Sequence, residues 1–108
     1  MNMAYSRLEK ISRVCKALSD ITRLRIFLLL TERTLCVNAI VNFLGISQPA
    51  VSQHLKILRE AGLVKSERKG YWMHYSADLK KIKEIADILL KILKDKKSVF
   101  VKVGNKTN

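Results

Sequence analysis

A mainly helical domain with one small β-hairpin is the fold class this sequence predicts, on three observations. The stretch LCVNAIVNFLGISQPAVSQHLKILREA, from Leu35 to Ala61, reads as two short helices joined by a tight turn. The following LVKSERKGYWMHYSA changes from a three–four period to alternation on either side of Lys69-Gly70. Helical periodicity then returns in DLKKIKEIADILLKILKD. With two helices ahead of them, these segments give the order α-α-α-α-β-β-α.

The first predicted helix runs from Tyr5 to Leu18. Leu8, Ile11, Val14, Cys15 and Leu18 fall within one arc at 100° per residue, with Arg7, Lys10, Arg13 and Lys16 mostly off it. Ser19-Asp20 breaks the pattern, and Asp20 is a good cap for the next helix. That helix, ITRLRIFLLLTE, is apolar nearly all round, so it is expected to be the central core helix.

In the two-helix stretch, Val37, Ile40, Val41 and Leu44 share one face of the first helix. Gly45 ends it, because glycine takes the left-handed conformation that a sharp helix terminus needs. Ile46 plugs the turn, Ser47 is the expected N-cap, and Pro49 falls in the first turn, where a missing N–H costs little. Val51, Leu55 and Leu58 line the inner face of the second helix. Its opposite face shows Gln48, Pro49, Ser52, Gln53 and Lys56, with no carboxylate until Glu60. Amides and hydroxyls bond to base edges and phosphates, whereas a carboxylate would repel phosphate. The face therefore suits a helix–turn–helix whose second helix enters the major groove. An ordinary helical hairpin with a solvated face stays open at this point.

The hairpin carries Arg68 and Lys69 at its tip. Tyr71, Met73 and Tyr75 are expected on one face, with Trp72 and His74 on the other. A basic hairpin directly after a reading helix is a wing, with cations placed to reach along or into the minor groove. The alternative is a plain surface hairpin. In the last helix, capped by Asp78, Leu79, Ile82, Ala86, Leu89 and Leu93 form a heptad seam, beside a second stripe of Ile85, Ile88 and Ile92. One small domain can hardly bury both, so the surplus is expected to face a second copy. Residues 1–97 are read as one DNA-binding and dimerisation domain. Residues 98–108 form a tail whose SVFVKV alternates like a short strand with no evident partner.

The chain has 108 residues and 48% hydrophobic composition, which suits one folded domain. Lys and Arg outnumber Asp and Glu by 21 to 9, for a net charge of +12, which points toward a polyanion. A lysine-rich soluble surface is the plainer account. No charge falls between Thr34 and Ile46, and part of the excess lies after residue 77. No membrane span or signal peptide is evident, leaving the cytoplasm as the expected compartment. Two cysteines cannot build a disulfide framework. Scattered carboxylates, two histidines and no glycine-rich phosphate loop give no catalytic constellation, so an enzyme is not expected.

Three segments, ALSDITRLRIF, LGISQPAVSQHLKILREAGLV and RKGYWMHYSA, resemble the ArsR/SmtB family of winged helix–turn–helix transcriptional repressors, over about Val14 to Ser76. The resemblance implies a homodimer docked through its first and last helices on a palindromic operator in double-stranded DNA. Its DNA-reading positions fall on Gln48, Pro49, Ser52 and Gln53. Pro49 departs from the small polar residue usual there, so its contact is apolar. Lys56, Arg68, Lys69 and Tyr71 complete the expected DNA surface. Leu8, Ile11, Cys15, Leu79, Ile82, Ala86, Leu89 and Leu93 form the expected dimer interface. His54 matches the family's histidine and leans toward the packed side.

The family's sensing chemistry carries over poorly. Its Cys-Val-Cys pair is Cys36-Val37-Asn38 here, and the last helix has no histidine for a zinc-type site. No metal site and no cofactor are expected; a small effector or metalloid stays open, with sensing by Cys36 as its one candidate. Cys36 is the candidate thiol sensor, since a helix N-terminus lowers a thiol pKa. Simple packing is its alternative, and for Cys15 a buried apolar role is expected. The competing function is a chromatin-like architectural protein that coats DNA without sequence choice. A third is a winged helix that uses its face for protein contact.

Overall fold

The computed structural model describes residues 3–95. Five helices and a three-stranded sheet follow the chain: α1 (Met3–Ala17), α2 (Ile21–Glu32), β1 (Leu35–Cys36), α3 (Val37–Leu44), α4 (Gln48–Glu60), β2 (Val64–Lys69), β3 (Trp72–Ala77) and α5 (Lys80–Asp95). Both the 98–108 tail and its SVFVKV alternation lie outside the described residues.

Local chemistry sets most boundaries. The Asp20 carboxylate accepts from the Arg23 N–H at 2.9 Å and starts α2. The Asp78 carboxylate accepts from the Lys80 N–H at 3.0 Å at the head of α5. Gly62 ends α4 with φ +75°, its N–H reaching the Arg59 carbonyl at 3.0 Å while the Leu63 N–H reaches Leu58 at 2.9 Å. This pair of bonds satisfies two carbonyls that a helix end would leave bare. Arg33, just past α2, lies over the Phe43 ring at 5.1 Å, a cation–π contact tying α2 to α3.

The core gathers Val14 and Ala17 of α1, Ile26, Phe27 and Leu30 of α2, Ile40 of α3, Val51, Leu55 and Leu58 of α4, then Leu63, Val64 and Ile85. Ile26, Ile40, Val51, Leu58 and Leu63 have no accessible surface. α4 packs on α2 and α3, β3 packs on α2, and α1 packs on α5.

Four expectations are corrected. Leu35 and Cys36 form a strand, not a helical start. They pair antiparallel with β3, Leu35 opposite Tyr75 and Cys36 opposite His74. The hairpin thus belongs to a sheet of order β1-β3-β2. The hairpin turn is Gly70-Tyr71, with Lys69 opposite Trp72, so Tyr71 sits in the loop and not on a face with Met73 and Tyr75. α2 is buried on one side only: Ile21, Leu24 and Leu28 are exposed, because α4 and β3 cover only the Ile26–Phe27–Leu30 side. Cys15 is exposed on this chain, because Val14 and Ala17 take the inward positions of α1.

α5 divides as its two stripes suggest, with one shift. Ile85 is buried and Ile88 half-buried, but Ile82 also packs on its own core. Leu79, Ala86, Leu89 and Leu93 stay exposed, joined by Leu90. An exposed ion pair fastens α5 to α1, Lys10 Nζ to Glu84 Oε1 at 2.9 Å, with Lys81 3.8 Å from the other oxygen.

The hydrogen bond and charge of Lys10, with Lys81 adding to them, hold the Glu84 carboxyl below its ordinary pKa. The Arg23 N–H does the same for Asp20, helped by the charges of His54 and Arg23. A carboxylate depressed in the folded state stabilises above its unfolded pKa and loses that contribution as pH falls through the folded value. The urea midpoint should therefore drop on acidification below about pH 4. Glu84→Gln should flatten that drop, as followed by helical circular dichroism.

Candidate nucleic-acid interface

α3 and α4 enclose a three-residue turn, Gly45-Ile46-Ser47. Gly45 sits at φ 67°, left-handed, and its N–H closes α3 on the Val41 carbonyl at 2.8 Å. Ile46 packs partly buried against the core. The Ser47 hydroxyl accepts from the Ala50 N–H at 3.3 Å, and Pro49 occupies the first turn of α4. The turn is thus built as its residue types require.

Burial of Val51, Leu55 and Leu58 orients α4 and leaves Gln48, Pro49, Ser52, Gln53 and Lys56 exposed, continued by Arg59 and Glu60. His54 lies toward the packed side, partly buried, with Nδ1 shielded and unbonded. The expected polar surface of α4 is one contiguous strip.

The wing follows within a few residues. Arg68 and Lys69 are exposed near its tip, and Tyr71 in the turn is 95% exposed. Two side chains join this surface that the sequence pattern did not single out. Trp72 is 58% exposed opposite Lys69, and Lys65 is exposed on β2. An aromatic at a hairpin tip beside cations was the available signal for Trp72. The register also places Glu67, on the other strand, opposite His74, so the wing is not uniformly basic.

Cys36 is half-buried at the N-cap of α3 and makes no capping bond through its side chain. It stands across β1–β3 from His74, whose Nδ1 is shielded and unbonded. Among the described residues no group of three His, Cys, Asp or Glu is placed to hold a metal ion.

A helix–turn–helix with an outward polar face, followed at once by a two-stranded wing, defines a winged-helix DNA-binding protein. The family model of the bacterial regulatory proteins of the arsR family matches residues 20–66. An uncharacterized HTH-type transcriptional regulator of Methanocaldococcus jannaschii is 40% identical over 82 residues, 75% of this chain and 92% of the relative. The chain belongs to the ArsR family of sequence-specific DNA-binding transcriptional regulators. It is also 49% identical over 61 residues to the arsenical resistance operon repressor of Escherichia coli, covering 56% of this chain and 52% of that one. The chain thus spans about half the length of the arsenic-resistance regulators it matches.

Solved structures agree. An ArsR-like transcriptional regulator from Rhodococcus superposes with a TM-score of 0.78 at 28% identity, over 82% of this chain and 83% of the other. The homodimeric winged helix-turn-helix DNA-binding domain of a possible ArsR-family regulator from Mycobacterium bovis gives 0.70 at 28% identity, over 89% and 88%.

Ser47 tests the geometry of the motif directly. Ser47→Ala should cost about 0.5–2 kcal/mol and Ser47→Gly only a few tenths, measured by urea unfolding. Equal stability of wild type and Ser47→Ala would remove the cap from the account.

Proposed function

We propose that this chain is a homodimeric repressor acting in the cytoplasm on a palindromic operator. One observation carries the proposal. The exposed side of α4 is polar, free of carboxylate from Gln48 through Arg59, and continuous in sequence with a cation-tipped wing. Gln48, Ser52 and Gln53 read base edges in the major groove, with Pro49 in apolar contact. Lys56, Arg68 and Lys69 neutralise phosphates, with Tyr71 beside them at the wing tip. The repressor role is supported by similarity to known repressors, the arsenical resistance operon repressor of E. coli among them.

The dimer is formed through α1 and α5. Ala86, Leu89 and Leu93 of α5, with Leu79 just before it and Cys15 on α1, supply an outward surface that this chain leaves uncovered, and Leu8 of α1 is half-buried. Ile11 and Ile82 lie behind it, partly buried against the core. The homodimeric state of the M. bovis domain supports a dimer as such. Two-fold symmetry then sets half-site centres one helical turn apart, about 34–36 Å.

Leu89→Lys places an ammonium in the seam and should yield monomer or aggregate on sizing. A stable dimer of that variant would refute the seam.

A salt series on the preferred and a random duplex separates the two kinds of DNA contact. Lys69→Ala should weaken both duplexes alike and lower the salt slope by about one. Gln53→Ala should cost about 1–3 kcal/mol per half-site on the preferred duplex and little on random DNA. Equal losses from Gln53→Ala on both duplexes would mean that α4 does not read sequence, and architectural binding would then be the better account.

A further inference from the structure

We propose that a cleft between α1, α2 and the C-terminal end of α4 is a binding site for a small multivalent anion, a phosphate compound or polycarboxylate. The cavity is about 610 Å³, with Arg13, Lys16, Arg23 and Glu60 on its rim and Ala17 and Ile57 among its apolar walls. That size falls within the range of metabolite-sized sites.

Charge distinguishes this cleft from the rest of the basic surface. Three cations face one carboxylate, and among the described residues the ion pairs within 4 Å join only Lys10 and Lys81 to Glu84. None of the four rim charges has an ion-pair partner within 4 Å, although the Arg23 charge is also felt by the Asp20 carboxylate. A concave site of one dominant sign with apolar walls concentrates the field for an opposite charge.

Arg23 is also held in place. Its Nη1 donates to the Ala17 carbonyl at 3.0 Å and reaches the Lys16 carbonyl at 3.5 Å, closing the end of α1. Its shielded Nε has no hydrogen-bond acceptor. A pinned guanidinium loses little freedom on binding, which favours affinity. A smaller cleft of about 170 Å³ adjoins, sharing Arg13, Glu60 and Ala61 and adding Arg59.

The location favours a free small anion over a DNA phosphate. The cleft lies at the opposite end of α4 from Gln48, away from the proposed base-reading positions. Occupancy would bridge the proposed dimer helix α1 to the proposed reading helix α4, so it should alter operator affinity. That consequence rests on the DNA reading above; the binding itself does not.

The test is calorimetric titration of the full DNA-free chain with pyrophosphate and with citrate, at ionic strength matched by chloride. One saturable site per chain is expected for at least one probe. Arg13→Ala/Lys16→Ala, both at exposed positions, should weaken it by roughly tenfold or more, and Glu60→Gln should tighten it. Operator affinity of the double variant without probe should match wild type, with an unchanged melting curve. Absence of a saturable site, or equal affinity in the double variant, overturns the proposal. So does a double variant that loses affinity for random duplex with a shallower salt slope, which would make these cations a DNA contact. Failure of Gln53→Ala to discriminate sequences would leave the anion site standing.

Discussion

Burial of Val51, Leu55 and Leu58 along one side of α4 is the constraint on which the rest depends. Val51 and Leu58 have no accessible surface, and Leu55 has almost none. At 3.6 residues per turn, fixing that side inward fixes Gln48, Ser52, Gln53 and Lys56 outward. α2 and α3 hold the helix from behind, and the Gly62 terminus turns the chain directly into β2. The wing therefore starts where the reading helix stops.

The same helix links the two ends of the molecule. Its N-terminal half carries the polar strip, and its C-terminal end meets α1 and α2 across the charged cleft. α1 in turn is joined to α5 by packing and by Lys10–Glu84. Exposed ion pairs of this kind contribute little to stability, so apolar burial carries the α1–α5 contact. The outward leucines of α5 have no counterpart in the chain's own core. A surface of that kind on a small protein marks an interaction site.

Much of this was legible in the sequence because it is encoded locally. Ser47, Gly45 and Pro49 specify a turn through their own backbone chemistry, and the periodicity of α4 and α5 names the inner faces. The polar strip of α4 could be read residue by residue for the same reason. Membership of the ArsR family agrees with that reading.

Only the tertiary structure decided the rest. A two-residue strand such as Leu35-Cys36 carries no periodic signal, so its place beside β3 appears only when β3 is there to pair with it. Which side of the nearly all-apolar α2 is buried depends on where α4 and β3 lie, and this leaves Ile21, Leu24 and Leu28 outside. Cys15 shares the apolar arc of α1 but falls outside the contact made by Val14 and Ala17. Arg13, Lys16, Arg23 and Glu60 come from three helices, and no spacing in the sequence announces that they share a cleft. Local propensity and period determine elements and their faces; which faces meet is set by packing between residues distant in the chain.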